Sequence, residues 1–244
     1  LEKAEQMSGQ GAKIVVFPEL SLSGYTCGDL FLQDALLAGA LDALQLFTNE
    51  TEKLDTLFFT GLPMLHQGRL FNVVAAVFHG RVLGLVPKSH IPMYSEFYEG
   101  RHFAPAPDGN TRHKLPFQEE DVCFGTRQLF VCADMPALSV AVEICEDLWV
   151  PVPPSSYHAM AGATVIVNAS ASDEATGKAA YRRELVKGQS ARTVAGYLYA
   201  DAGEGESTTD MVFAGHDLIA ENGVLLVQTE RYGNHIAISE IDIS

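Results

Sequence analysis

The chain has 244 residues, of which 47% are apolar and 19% charged. That length sets one large domain or two small ones. The apolar fraction excludes a disordered chain, and the longest apolar runs, such as Val73–Phe78, fall far short of the roughly 20 residues a membrane span needs. Sixteen Lys+Arg against 31 Asp+Glu give a net charge of −15. The densest basic cluster, Arg182, Arg183 and Lys187, is too small a stripe for a nucleic acid or a membrane surface, so neither is expected as a partner.

The first residue is Leu1, not Met, and Leu1–Gln10 reads as the end of a helix. In an α/β protein a helix feeding a strand normally follows an earlier strand. The expectation is therefore a fragment of a longer protein. Strand-like runs then fall at Ala12–Phe17, Thr56–Leu62, Leu70–His79 and Arg81–Val86. Others fall at Gln128–Cys132, Leu138–Cys145, Ala163–Asn168, Tyr197–Ala202, Met211–Phe213, Asp217–Ala220, Val224–Gln228 and His235–Ile243. All are short, rich in Val, Ile, Leu and Phe, and bounded by Gly, Pro, Asn or Asp. His79-Gly80 and Glu221-Asn222-Gly223 read as hairpin turns. Helical spacing marks Leu37, Leu41, Leu44 and Phe47, and then Tyr181–Ala195. The stretch Phe103–Thr126 has three prolines and no periodicity, and reads as a lid, an interface arm or a mobile loop. So many strands with about four helices imply two sheets with helices outside them, in one domain over 1–244.

Four cysteines (Cys27, Cys123, Cys132, Cys145) include no C-x-x-C, which excludes a disulfide framework or zinc ribbon and fits a reducing cytoplasm. No signal peptide is visible. The eight His show no paired metal-binding spacing, so no metal is expected.

Three strand ends carry reactive residues. Val140–Ile144 leads into Cys145-Glu146-Asp147-Leu148-Trp149. A buried structural thiol is the common fate of a free Cys, and Cys123 and Cys132 are read so. The strand-end position of Cys145 favours a nucleophile, because ligands in α/β sheets bind outside the carboxyl ends of strands. Its acidic neighbours oppose a standing thiolate, so it would need a base and a cation. Ile14-Val15-Val16-Phe17-Pro18-Glu19 supplies a carboxylate and Val82-Leu83-Gly84-Leu85-Val86-Pro87-Lys88 an ammonium. Alone, each reads as a solvated charge at a strand end. Together with Cys145 they form a base, an oxyanion partner and an attacking group.

The order Glu19, Lys88, Cys145 resembles the nitrilase superfamily of carbon–nitrogen hydrolases. Phe17-Pro18-Glu19-Leu20-Ser21-Leu22-Ser23-Gly24-Tyr25, Pro87-Lys88-Ser89-His90-Ile91-Pro92 and Glu143–Trp149 further resemble the glutaminase domains of bacterial glutamine-dependent NAD synthetases. Tyr94–Arg101 and Gly203–Asp210 agree with them. The resemblance runs from about Lys13 to the C-terminus. It implies a four-layer α-β-β-α sandwich, here lacking its first strand, and glutamine hydrolysis that feeds ammonia to a synthetase domain. That domain's Ser-Gly-Gly-x-Asp-Ser loop is absent from the sequence, so ATP and Mg are expected only there and this chain is expected to use no cofactor. By resemblance, Cys145 attacks the glutamine amide, Glu19 is the base, Lys88 stabilises the oxyanion and Glu99 orients Lys88, with Glu96 as competitor. The Glu146 N–H is a second oxyanion donor, and Tyr94, Ser172 and Lys178 contact glutamine. Lys178 stands where relatives carry Arg.

Two rival readings are a stand-alone amidase on another small amide and a catalytically silent interaction fragment; a fragment is expected to be weak or inactive alone. The helix Tyr181–Ala195, with Gly188, Ser190 and Ala191, either packs on another subunit, as in superfamily homo-oligomers, or on its own sheet.

Overall fold

A computed structural model describes residues 1–207 and 210–243. Thr208 and Thr209, inside the Gly203–Asp210 motif, and Ser244 lie outside the described residues. The chain forms two compact units, Leu1–Thr126 and Arg127–Ser244.

The first unit is built on six strands: β1 (Ile14–Val16), β2 (Leu57–His66), β3 (Arg69–Phe78), β4 (Arg81–Pro87), β5 (Thr111–His113) and β6 (Val122–Phe124). They form one sheet in the order β1-β2-β3-β4-β6-β5. β2 and β3 are buried along nearly their whole length, which is why their sequences run continuously apolar instead of alternating. Gln67-Gly68 and His79-Gly80 close the two hairpins with all four residues at positive φ, the geometry that matches the twist of the flanking strands. The short helix α1 (Glu2–Gly9) leads into β1, and α2 (Asp34–Glu50) turns Ala40, Leu44 and Phe47 inward. These residues share a core with Val15, Phe58, Val73, Leu85 and Phe124.

Parts of the stretch Phe103–Thr126 join the sheet of the first unit. Ala104 N–H donates to Leu70 O (2.8 Å), Ala106 N–H to Lys88 O (2.9 Å) and Gly125 N–H to Leu85 O (3.0 Å), and β5 and β6 extend the sheet from β4. Strands three residues long carry no readable period. They exist because β4 offers an edge.

The second unit contains β7 (Phe130–Val131), β8 (Ser139–Ile144), β9 (Val165–Ser170), β10 (Gly196–Asp201), β11 (Leu218–Glu221) and β12 (Val224–Gln228), in the order β12-β11-β10-β9-β8-β7. β8, β9 and β10 are parallel and wholly buried. Their crossovers carry α3 (Pro154–Met160) and α4 (Lys178–Thr193), as parallel pairing requires. The α4 residues Ser190 and Ala191 meet the β11–β12 turn: Gly223 N–H donates to Ser190 Oγ (3.3 Å), and a Cβ at Gly223 would lie 2.9 Å from Ala191 Cβ. Both small residues therefore serve their own sheet.

Two expected strands do not form. Met211–Phe213 contributes one bridge, Phe213 to Asp173. His235–Ile243 is rich in Ile but forms no strand among the described residues. Instead Ile241 lies over Gly196, where a Cβ would come within 2.8 Å of its side chain.

Candidate active site

β1 runs parallel to β2, β3 reverses direction and β4 reverses it back, so β1 and β4 point the same way and Glu19 and Lys88 follow strands that end at the same edge of the first sheet. The turn bearing Glu19 is held tightly. Leu20 has φ +52°, and a Cβ on Gly61 would lie 2.3 Å from Leu20 N, so only glycine lets β2 pass so close. Ser21 Oγ receives the Gly61 N–H (3.1 Å), and Leu22 N–H donates to Gly61 O (2.9 Å). Lys88 is clamped through its own main chain, its N–H donating to Asn72 O (2.8 Å).

These turns bring the charged groups together. Lys88 Nζ donates to Glu19 Oε1 and to Glu99 Oε1, each at 2.6 Å, and the side chains of Lys88 and Glu19 are fully buried. Asn72 Nδ2 donates to Glu19 Oε1 (2.5 Å), and Tyr25 Oη donates to Glu99 Oε1 (2.8 Å). Glu99 opens a 3₁₀ turn, Glu99–Arg101, and is buried; Glu96 is half-buried. Burial pushes Glu19 up to about 7 against the pull of Lys88, with Glu99 adding to the rise. A carboxylate poised there changes protonation state near neutrality, as an acid–base group must.

In the second unit the parallel strands β8, β9 and β10 end together, and Cys145, Ser170 and Asp201 stand at that edge. Cys145 is buried and has φ +43°, a conformation that is rare for a residue with a side chain and that, outside turns, clusters at functional sites. It opens a 3₁₀ turn, Cys145–Leu148, in which Asp147 Oδ2 accepts the Ile144 N–H (3.0 Å). One of the two acids beside the thiol is thus a cap. Glu146 is half-buried. Cys27, Cys123 and Cys132 are half-buried free thiols, and burial pushes the Cys123 thiol up.

The loop after β9 and the first residue of α4 carry two of the expected substrate contacts. Ser172 is buried, its N–H donating to Asp201 Oδ1 (2.8 Å) and its Oγ accepting from Arg182 Nη2 (3.3 Å). Lys178 is ion-paired with Asp173, with Nζ 5.2 Å from the Trp149 ring centre. Arg182, wholly buried, also reaches Glu174 (3.1 Å) and Asp201 (3.7 Å). In the first unit Tyr94 is exposed and stands edge-on to Phe97 (5.9 Å).

The sequence reading missed Asn72, Tyr25, Gly61, Asp173, Asp201 and Arg182. Tyr25 and Asp173 lay inside or beside quoted motifs; the others carry no local signal. Among the described residues, no group of three His, Cys, Asp or Glu could hold a metal ion, and no helix is long and apolar enough to cross a membrane.

Two six-stranded mixed sheets, with a buried lysine held by two carboxylates at the edge of the first, make an α/β protein with a charged candidate site, and the carbon–nitrogen hydrolase family model matches residues 1–244. The chain belongs to that family. It is 45% identical over 243 residues to the glutamine-dependent NAD(+) synthetase of Mycobacterium tuberculosis, covering 100% of this chain but 36% of that protein. A crystal structure of a glutamine-dependent NAD(+) synthetase from Cytophaga hutchinsonii matches with a TM-score of 0.82 and 31% identity, over 93% of this chain and 36% of that one. A mutant of the amidase from Nesterenkonia sp. AN1, 16% identical with a TM-score of 0.73 over 95% of this chain and 78% of that one, shares the fold. The chain thus spans about a third of the length of the synthetases it matches.

Proposed function

We propose that this chain is the glutamine amidohydrolase part of a glutamine-dependent NAD synthetase. It releases ammonia for the ATP-dependent amidation of nicotinic acid adenine dinucleotide by a synthetase domain of the same protein. The observation that carries the chemistry is the buried Lys88 ammonium shared between Glu19 and Glu99. The relatives at 45% and 31% identity support the choice of glutamine.

In this reading Cys145 Sγ attacks the side-chain amide carbon of glutamine as Glu19 takes the thiol proton. Lys88 Nζ and the Glu146 N–H stabilise the tetrahedral oxyanion. Collapse breaks the C–N bond, and Glu19 returns the proton to the leaving ammonia. Water, deprotonated by Glu19, then cleaves the thioester to glutamate. With burial holding Glu19 near 7, one carboxyl serves both steps at neutral pH. Glu99 acts through Lys88, fixing its ammonium. Tyr94, Ser172 and Lys178 contact glutamine, and the Lys178–Asp173 pair leaves a less complete anchor for an α-carboxylate than an arginine fork would. ATP and Mg belong to the synthetase domain, and a cytoplasmic homo-oligomer is the expected setting.

The experiment is covalent: a diazoketone analogue of glutamine should label Cys145 stoichiometrically, and among a panel of ω-amides glutamine should be preferred. Labelling at another residue, or a better ω-amide, would overturn the assignment.

A further inference from the structure

One set of buried polar side chains has no task in that mechanism. Glu143, Asn168 and Tyr197 lie beneath the Cys145 turn, each no more than 1% exposed, with Ser155 and Gln189 behind them. Their hydrogen bonds form one continuous path. Cys145 N–H donates to Asn168 Oδ1 (3.0 Å), which also accepts from Ser170 Oγ (2.8 Å). Asn168 Nδ2 donates to Tyr197 Oη (3.0 Å), and the Tyr197 hydroxyl donates to Glu143 Oε1. Glu143 Oε2 accepts the Ser155 N–H (2.8 Å), and Gln189 Nε2 on α4 donates to Ser155 Oγ (2.9 Å).

The path has a direction. The Cys145 N–H can only donate, so the Asn168 oxygen must face it and the Asn168 NH₂ must point at Tyr197, whose own O–H is left for Glu143. The Asn168 carbonyl oxygen is then left facing Cys145, and only this amide orientation satisfies the Cys145 N–H. A donor chain of this kind, ending on the Glu143 carboxyl, also polarises each bond before it. The turn it holds is the one with φ +43° at Cys145, and such a conformation persists only where the surroundings over-determine it. The preceding N–H, of Ile144, is held separately by Asp147 (3.0 Å). A wholly buried carboxyl on β8 is costly where an apolar residue would pack as well, unless its bonds serve something.

We propose that Glu143, Tyr197 and Asn168 form a positioning relay that holds the Cys145 N–H, and with it the left-handed turn aiming Sγ, so that they govern turnover and not glutamine affinity. This rests on Cys145 being the nucleophile. The relay touches neither substrate nor reacting atoms. It fixes where the thiol stands, and a misplacement near 1 Å costs about 100-fold in rate.

The decisive experiment uses the full-length protein and expresses kcat per Cys145 site titrated with the diazoketone analogue, which removes misfolded molecules from the count. Asn168→Ala should lower kcat per site by about 100-fold and Tyr197→Phe by about 10-fold, both with the glutamine KM near wild type. The double variant should be no worse than Asn168→Ala, because Tyr197 acts only through Asn168. Asn168→Asp keeps an oxygen for the Cys145 N–H but loses the donor to Tyr197. It should match Tyr197→Phe, and it keeps the proposal testable if Asn168→Ala does not fold. Unchanged kcat per site with fewer titratable sites would reduce the relay to a structural role and overturn it, as would losses that multiply in the double variant. Wild-type protein that hydrolyses glutamine without label at Cys145 would refute nucleophile and relay together; labelled wild type with unaffected variants would refute the relay alone.

Discussion

At the strand ends of the first unit the candidate groups are charged, and their charges decide their state. Lys88, Glu19 and Glu99 share one dry site, and burial sets Glu19 near 7. At the strand ends of the second unit the thiol is placed by backbone shape and by hydrogen bonds: Asn168 holds the Cys145 N–H, the Asp147 carboxyl caps the Ile144 N–H, and the buried Glu143 stands two hydrogen bonds removed from Asn168. The difference separates two costs. Poising a charge requires desolvation balanced by an opposite charge. Aiming a side chain requires strain balanced by satisfied donors. The proposed mechanism needs both, and this chain carries them in different halves of its sequence.

The comparison breaks first at the reacting groups. Cys145→Ala should remove glutamine hydrolysis by at least about 10⁴-fold while far-ultraviolet circular dichroism stays native, since a small side chain is lost with little packing. Retained turnover would mean that the second unit aims nothing. Next in size is Lys88→Arg, which keeps the positive charge but not the compact ammonium that fits 2.6 Å from two carboxylates. Its kcat should fall by about 10³-fold, nearly as far as that of Lys88→Ala. An arginine variant with most of its kcat would show that the first unit needs only a positive field.

Gly61→Ala tests whether the charged site also depends on shape. The new methyl would press on the Leu20 backbone, displacing the turn behind Glu19. Thermal denaturation should show about 2 kcal/mol of destabilisation, accompanied by a roughly 10-fold loss of kcat in the folded fraction. A native melting curve with native kcat would show that the turn yields freely.

The smallest effect is pH. Burial raises Glu19, Glu143, Asp201 and Asp217 to about 7 from ordinary carboxyl values of 4.5 or 3.8. Between those limits the folded protein holds protons that the unfolded chain has released, so the contribution of these groups to stability falls as pH rises and grows on acidification. Hydrolysis should move the other way, declining below pH 7 as Glu19 loses its ionised form. Melting temperatures measured from pH 8 down to about 5 should therefore rise while kcat/KM falls. Parallel trends would contradict the assignment of Glu19 as base.

The positions of Glu19, Lys88 and Cys145 at strand ends were legible because each follows an apolar run, and the carboxyl ends of such strands are the edge where α/β sheets bind ligands. The two longest hairpin strands and α2 were legible for the same reason of strong local pattern. His235–Ile243 misled because an Ile-rich run makes a strand only when an edge is free to pair, and Ile241 packs over Gly196 instead. β5 and β6 were invisible because three residues carry no period. What the sequence by itself determined was the reactive residue types, the strands that carry them and the family. Tertiary structure alone decided what state those residues occupy. Asn72 meets Glu19 across 53 residues of chain, Tyr25 meets Glu99 across 74 and Tyr197 meets Glu143 across 54. Desolvation, short contacts and the left-handed turn at Cys145 arise only when such distant segments close on one another, and no local pattern encodes them.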